Sequence, residues 1–224
     1  MKSYITDRRF RAPRLWSNEI LAAVAPAFSG EIVNVSAWDD RDKEGKQYKE
    51  YFSNASGYFY TNYGGERGSQ GLENEFYLDL TGELPDDMVG RFDVVFNHTT
   101  LEHIFEVRKA FRNLCDMTRD IVIVVVPFAQ AQHETSSWKD YWRFTPTCLR
   151  EMFKENGLTP IFEAESKQRN AGVYLLMIGA RTPTRWVGRL PQYQAITEAA
   201  GWIGERNILV RKAARLARKL RIIS

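Results

Sequence analysis

The sequence has few of the residues that mark secreted, membrane-spanning or disulfide-rich proteins. It has two cysteines in 224 residues, Cys115 and Cys148, and their spacing is not that of a zinc site. We expect both to be reduced thiols in the core. The longest apolar run, residues 121–128, is far shorter than the roughly 20 residues of a membrane-spanning helix. No apolar segment follows the charged N-terminal residues, so no secretory signal is predicted and a cytoplasmic location is expected.

The sequence also has little that indicates metal or nucleotide chemistry. Its three histidines, His98, His103 and His133, include no pair four residues apart, so no metal site is predicted. The acidic run at 39–42 lacks the spacing of a calcium loop and is expected to be a solvated loop. No Walker-type phosphate loop is present either.

Positive charge is concentrated at one end of the chain. The net charge is +3, but residues 205–224 contain seven lysines and arginines against one acid. Apolar residues recur there at helical spacing, which predicts a basic amphipathic helix. Such a helix can lie on an anionic membrane, bind a protein partner or dock on its own domain, whereas nucleic-acid binding is not favoured. We therefore predict two units, an α/β domain at 1–185 and a basic helical extension at 186–224.

Short β-rich segments alternate with amphipathic helical segments along the first unit. This alternation predicts an α/β fold with a doubly wound, mostly parallel sheet. Seven strands are predicted, at 31–36, 58–61, 75–80, 92–96, 121–126, 158–163 and 173–180. A first helix is predicted at 15–28, Thr99 and Glu102 have the spacing of a capping box, and Thr145 is expected to cap a helix that ends at Gly157.

Three separated motifs carry a family resemblance. They are FDVVFNHTTLEHI at 92–104, IVIVVVPF at 121–128 and DYWRFTPTCLREMFKENGL at 140–158. In this order they resemble the small class I methyltransferases that use S-adenosylmethionine. The resemblance implies a Rossmann-like seven-stranded sheet with a reversed last strand, S-adenosylmethionine as cofactor, and transfer of a methyl group. It further suggests a small-molecule or glycan-type hydroxyl acceptor, in the setting of cell-surface polysaccharide synthesis.

The cofactor segment departs from the pattern of that family. Asn34 stands where an acid is usual, and Ser36 and Trp38 stand where glycines are usual. After the second strand, where an acid normally binds the ribose, the sequence offers Asn62. The resemblance leaves four candidate cofactor-binding residues, which are Asn34, Ser36, Asp79 and Asn97. Either this variant loop still binds the cofactor, or the site no longer binds it and the protein is an inactive, methyltransferase-like binding or scaffold protein.

Candidate catalytic and acceptor-binding residues follow the fourth and fifth strands. His98 is a candidate for a pocket wall or a base on the acceptor side, and His133 is a candidate for a base or a hydrogen-bond donor, because a base assists transfer to a hydroxyl. Tyr141 and Arg143 are candidates for binding the acceptor. The alternatives are that the aromatic residues of this loop only pack and that Arg143 pairs with Asp140. Glu102 is expected to act in the capping box rather than in catalysis.

Overall fold

The structure is a computed structural model that describes residues 4–64, 68–166 and 171–197, with side chains from Arg11 onward. The described residues form three α-helices around a seven-stranded sheet, which confirms the predicted fold class. The elements are α1 (Tyr4–Val24), β1 (Ser29–Val35), β2 (Asn54–Asn62), β3 (Glu75–Tyr77), β4 (Phe92–His98), α2 (Val107–Asp116), β5 (Thr118–Ala129), α3 (Pro146–Glu155), β6 (Thr159–Glu165) and β7 (Val173–Ala180).

The strand order has a reversal point at the centre of the sheet. The order is β3-β2-β1-β4-β5-β7-β6, in which β1 to β5 run parallel and β7 runs antiparallel to both of its neighbours. The direction of winding reverses between β1 and β4. In open α/β sheets, ligands bind outside the carboxyl ends of the strands at this reversal point.

Each face of the sheet has its own apolar core. One core packs α2 and α3 against residues such as Val33, Val95 and Val122. The other packs α1 through Leu21 and Val24 against the opposite side chains of the same strands. Because β5 lies between the two cores, residues 120–127 are buried without interruption, as expected for a central parallel strand.

The segment that follows β1 contains no α-helix within residues 36–53, all of which the structure describes. It folds into a loop with an isolated bridge between Arg41 and Gln47 and one 3-10 turn, Tyr48–Tyr51. The N-terminal helix α1 is longer at its start than the predicted 15–28 and covers this face of the sheet.

The predicted capping box after β4 is wrong. Thr99 has a left-handed backbone (φ 51°), and its N–H donates to the carbonyl oxygen of Val125 at 2.8 Å. A short 3-10 helix, Leu101–His103, follows instead of an α-helix, and α2 begins only at Val107. Glu102 is therefore not a capping partner.

The predicted start of α3 is confirmed. The Thr145 side chain accepts a hydrogen bond from the N–H of Cys148 at 3.1 Å, and Pro146 occupies the first turn. Gly157 follows the helix with φ 72°. The same geometry corrects one expectation, since the first turn of α3 places Cys148 on the surface, whereas Cys115 is buried as predicted.

The structure describes the predicted extension at 186–224 as far as Thr197, and the 3-10 turn Pro183–Trp186 spans its predicted start. The predicted basic helix at 205–224 lies outside the described residues. Among the helices that the structure describes, none combines the length and the apolar character needed to cross a membrane.

Candidate functional site

Three loops meet at the carboxyl edge of the central strands. Residues 36–47 follow β1, residues 99–106 follow β4, and residues 130–145 follow β5. Because β4 pairs with both β1 and β5, the three loops are neighbours at the reversal point of the sheet. Every candidate residue from the sequence except Asp79 and Asn62 lies in one of these loops or in the strand that leads into it.

The turn after β1 has the left-handed backbone conformation that favours glycine, although it contains no glycine. Ser36, Trp38 and Asp40 have φ angles of 59°, 51° and 57°. Non-glycine residues adopt this left-handed region rarely and at a cost in energy, so surrounding contacts must hold the turn. The N–H of Asp40 donates to the carbonyl oxygen of Ala37 at 2.9 Å, which closes the turn.

Asp40 lies at the centre of these contacts. It is buried, which corrects the prediction that residues 39–42 form a solvated loop. Its carboxylate accepts hydrogen bonds from the Asn34 side chain at 2.7 Å, the Lys49 N–H at 3.1 Å and the Tyr58 hydroxyl at 3.2 Å. Burial raises the pKa of Asp40, and these hydrogen bonds oppose the rise. The amide donor of Asn34 is thus directed to the loop. Asp42 is buried in the same loop and accepts a hydrogen bond from the Tyr51 hydroxyl at 2.7 Å.

Asn62 fixes the same turn from the end of β2. Its Oδ1 accepts from the Trp38 N–H at 2.7 Å, and its Nδ2 donates to the Trp38 carbonyl oxygen at 3.1 Å and to Glu75. Burial alone would raise the pKa of Glu75, but hydrogen bonds from Asn62 and from neighbouring N–H groups lower it to about 2. The Trp38 side chain is 39% exposed, so the indole lies at the surface of the site.

Two candidate cofactor residues keep unused acceptor capacity. Asp79 is partly buried, and its Oδ1 accepts from both the N–H and the hydroxyl of Thr81 at 2.8 Å. Asn97 is fully buried and donates to the Val35 carbonyl oxygen at 2.9 Å. Its Oδ1 has no hydrogen-bond partner within the described part of the chain. A buried acceptor without a partner is costly, so a ligand donor at that position would be stabilising.

His98 is enclosed by hydroxyl groups. Its Nε2 lies 2.9 Å from the Ser17 hydroxyl of α1, and its Nδ1 lies 3.1 Å from the Thr99 hydroxyl. Burial, with a further contribution from the positive charge of Arg14, lowers the pKa of His98 well below its usual value. The imidazole is therefore neutral, and α1 covers it.

His133 forms part of an ionic group in the loop after β5. The Asp140 side chain has no exposed surface, and its carboxylate accepts hydrogen bonds from the two terminal guanidinium nitrogens of Arg143 at 2.6 Å. The same carboxylate accepts a hydrogen bond from the backbone N–H of His133 at 2.8 Å and lies 3.3 Å from the ring nitrogen Nδ1 of that residue. Burial lowers the pKa of His133, and Asp140 partly offsets this. Arg143 is thus paired with Asp140, which was the alternative left open by the sequence.

Glu102 and His103 lie beside this group, although the sequence did not indicate it. Glu102 is completely buried, and neither carboxylate oxygen has a hydrogen-bond partner in the described residues. Burial raises its pKa to about 7. His103 Nε2 lies 3.8 Å from Glu102 Oε1, and burial lowers the pKa of His103 to about 4. The rings of His103 and His133 are 5.0 Å apart and nearly perpendicular. His103 and His133 are thirty positions apart in the sequence, so no short sequence motif could have predicted this cluster.

An exposed aromatic group borders the same loops. Phe105, Tyr141 and Trp142 are 64%, 48% and 37% exposed, and the rings of Tyr141 and Trp142 lie 5.4 and 6.3 Å from that of Phe105. The Trp142 indole N–H donates to the Ile104 carbonyl oxygen at 2.9 Å, which fixes the ring at the surface. Contiguous exposed aromatic surface is typical of binding sites.

No family model matches the chain, and no curated protein matches it. Solved structures resemble it in fold. Magnesium protoporphyrin IX methyltransferase from Synechocystis, solved with bound S-adenosylmethionine, has a TM-score of 0.54 and 12% identity over 81% of this chain and 86% of that one. An S-adenosylmethionine-dependent methyltransferase from Clostridium acetobutylicum has a TM-score of 0.52 and 9% identity over 79% and 96%.

A third structure is solved with both a substrate and a cofactor product. It is the Burkholderia thailandensis 1,6-didemethyltoxoflavin-N1-methyltransferase, with bound 1,6-didemethyltoxoflavin and S-adenosylhomocysteine. It has a TM-score of 0.50 and 17% identity over 78% of this chain and 84% of that one. At such low identities, these likenesses show that the chain has the class I methyltransferase fold.

Proposed function

We propose that this protein transfers a methyl group from S-adenosylmethionine to a hydroxyl of a small-molecule or glycan acceptor. The observation that carries the proposal is the reversal point between β1 and β4, in a seven-stranded sheet with class I methyltransferase order. The fold neighbours from Synechocystis and Burkholderia thailandensis, solved with bound S-adenosylmethionine or S-adenosylhomocysteine, support it.

The residues at the carboxyl edge of the sheet, near this reversal point, fit the cofactor in part. The turn at 36–40 has the left-handed backbone that a glycine-rich loop would supply. Asp79 would bind the adenine amino group, as the family resemblance implies, and the unpartnered Oδ1 of Asn97 would accept from the methionine ammonium group. Ser36 offers a hydroxyl, whereas Asn34 acts through Asp40 by holding the loop.

The cofactor supplies an electrophilic methyl group, and the chain must hold the acceptor hydroxyl in line and take its proton. We assign the base to His133. Its lowered pKa keeps the ring unprotonated at neutral pH, so it can take a proton. Asp140 contacts Nδ1 and would stabilise the protonated ring, and Arg143 fixes Asp140 in place. In this arrangement His98, enclosed by Ser17 and Thr99, forms a wall of the site rather than its base.

The exposed aromatic group supports a ring-shaped acceptor. Phe105, Tyr141 and Trp142 present flat apolar faces on the two loops that also carry His103 and His133, and sugar rings as well as planar aromatic substrates pack on such faces. A glycan-type hydroxyl acceptor, in polysaccharide synthesis, is the form of the proposal that this surface favours.

Calorimetric titration with S-adenosylmethionine and S-adenosylhomocysteine tests the proposal. We expect one site per chain with micromolar dissociation constants, weakened about tenfold or more in Asp79→Asn. Asn54→Ala, which removes an exposed side chain of β2 far from the carboxyl edge, is the matched control and should bind like the unaltered chain. A folded protein that gives no heat at millimolar ligand would exclude the enzyme.

That negative outcome would favour a second function, an inactive methyltransferase-like binding or scaffold protein. The specific observation in its favour is that Asn34 and Asn62 both use their amide donors to hold the loop. Both N–H groups of the Asn62 amide and one of the two on the Asn34 amide are therefore already used within the chain. Under this alternative, changing Trp38 to glycine would not create binding of S-adenosylhomocysteine.

We propose further that the basic segment 205–224 holds the protein on an anionic membrane surface, through its seven lysines and arginines. Sedimentation with anionic vesicles, with and without residues 205–224, tests this. Recovery with the vesicles should fall when the segment is removed, and equal recovery would refute the membrane role.

A further inference from the structure

We propose that Glu102, His103 and His133 form a binding site for a divalent transition-metal ion of the zinc class. The sequence predicts no metal site, because the two histidines are thirty residues apart. The fold brings one ligand atom of each residue within 4.8 Å of the other two. Glu102 and His103 come from the 3-10 turn after β4, and His133 comes from the loop after β5.

The distances require only a small closure to accept an ion. Zinc bonds of about 2.0–2.1 Å in a tetrahedron place two ligand atoms about 3.3 Å apart. His103 Nε2 already lies 3.8 Å from Glu102 Oε1. The two histidine side chains are 17% and 21% exposed, so an ion can enter from solvent.

The groups around the cluster hold both imidazole rings in the orientation that metal-binding histidines need. His103 Nδ1 lies 2.7 Å from the Lys139 carbonyl oxygen, which directs Nε2 towards Glu102. His133 Nδ1 lies 3.3 Å from Asp140, whose position is fixed by Arg143. Histidines that bind metals characteristically donate their second ring N–H to a carboxylate or a backbone carbonyl.

Glu102 supplies the independent observation that a ligand belongs here. Its side chain is completely buried, and both of its oxygens lack a hydrogen-bond partner in the described residues. An unpaired buried carboxyl group is costly, and a bound cation would remove that cost. Two nitrogen ligands and one oxygen ligand favour zinc, iron, cobalt or manganese over magnesium and calcium, which prefer oxygen.

Three protein ligands leave coordination positions open, as in catalytic rather than structural zinc sites. The site lies at the carboxyl edge of the sheet, beside the exposed aromatic group. If the proposed methyl transfer is right, an ion there would bind the acceptor hydroxyl and lower its pKa. His133 would then be a ligand, so the acceptor proton would be lost to solvent without His133 as the base. This role rests on the proposed function, whereas the binding of the ion does not.

The test is calorimetric titration of the full chain with Zn²⁺ after treatment with a chelator, with no cofactor or acceptor present. We expect one ion per chain, and dissociation constants raised at least tenfold in Glu102→Gln, in His103→Ala and in His133→Ala. A Co²⁺ titration adds a spectroscopic readout, since its visible absorption should appear with the unaltered chain and vanish in the His103→Ala/His133→Ala double variant.

Two matched controls separate this site from adventitious binding. Cys148→Ser removes the exposed thiol, and Glu155→Gln removes an exposed carboxylate on α3; both should bind Zn²⁺ like the unaltered chain. Circular dichroism checks that each variant is folded, and the partly exposed histidines make folded variants attainable. The proposal is overturned if the unaltered chain binds no Zn²⁺, or if the folded double variant binds it equally well. Neither outcome bears on binding of S-adenosylmethionine.

Discussion

Asp40 is a single residue on which the shape of the loop after β1 depends. Three donors, from Asn34, Lys49 and Tyr58, converge on its buried carboxylate, and its own φ of 57° is one that few side chains tolerate. The sequence showed only an acid within a charged run. Its burial follows from the packing of β1 and β2, which no local pattern reports.

Replacing Asp40 with alanine should therefore destabilise the fold. The change leaves three donors without their acceptor, each at a cost of about 1–3 kcal/mol, so we expect the free energy of unfolding to fall by about 3 kcal/mol or more. Urea denaturation measures this. Asp39→Ala, which removes a neighbour bonded only at the surface, should change stability by no more than about 0.5 kcal/mol. Equal stability of the two variants would show that the Asp40 contacts carry little energy.

Glu75 makes the same region sensitive to acid. Its pKa is lowered from the usual 4.5 to about 2 in the folded chain, so its charged form favours folding. The stability that it contributes is fully present above pH 4.5 and is lost as the pH falls from 4.5 towards 2.

Replacing Glu75 with glutamine should remove that part of the pH dependence. We expect the decline in unfolding free energy between pH 4.5 and 2, followed by chemical denaturation, to be shallower in Glu75→Gln than in the unaltered chain. The exposed neighbour Glu73 offers the control, because Glu73→Gln should keep the original slope. If the slopes of all three proteins coincide, the hydrogen bonds to Glu75 do not govern acid stability.

At the scale of elements, periodicity and composition were sufficient for the sheet and insufficient for the loops. The strand at 173–180 matches β7 residue for residue, since a short continuous apolar run marks a buried strand whatever its neighbours. The capping box failed because the N–H of Thr99 is bonded by β5, a partner distant in sequence. The contacts of the site residues likewise depend on partners distant in sequence. Asn62, for example, was a candidate ribose ligand, but its side chain hydrogen-bonds to the backbone of Trp38.

The loop after β1 should loosen as a unit when Asn62 is removed. In Asn62→Ala, the Trp38 N–H loses its acceptor, and we expect hydrogen exchange to accelerate at least tenfold across residues 36–42 while β1 itself stays protected. Amide exchange followed by mass spectrometry measures this. Asn54→Ala, at the opposite end of β2, should leave the exchange of 36–42 unchanged. Unaltered exchange in Asn62→Ala would mean that Asp40 alone maintains the turn.

At the scale of the whole molecule, the fold brings together what the sequence keeps apart. The order of strands could be expected from the motifs at 92–104, 121–128 and 140–158, which resemble a known family. The approach of Glu102, His103 and His133 could not, since it depends on how two loops close over adjacent strands. The same two loops carry the exposed aromatic surface, so the proposed acceptor side is a product of the tertiary fold.

The proposed methyl transfer requires that S-adenosylmethionine binds at the reversal point between β1 and β4 despite the altered loop. Hydrogen exchange of the full chain, with and without saturating S-adenosylhomocysteine, tests this most directly because it locates the ligand. We predict slower exchange in the ligand-bound chain at residues 34–40, around Asp79, and at the end of β4 near Asn97. Exchange that is unchanged throughout the chain, or slowed only at residues far from this edge, would contradict it.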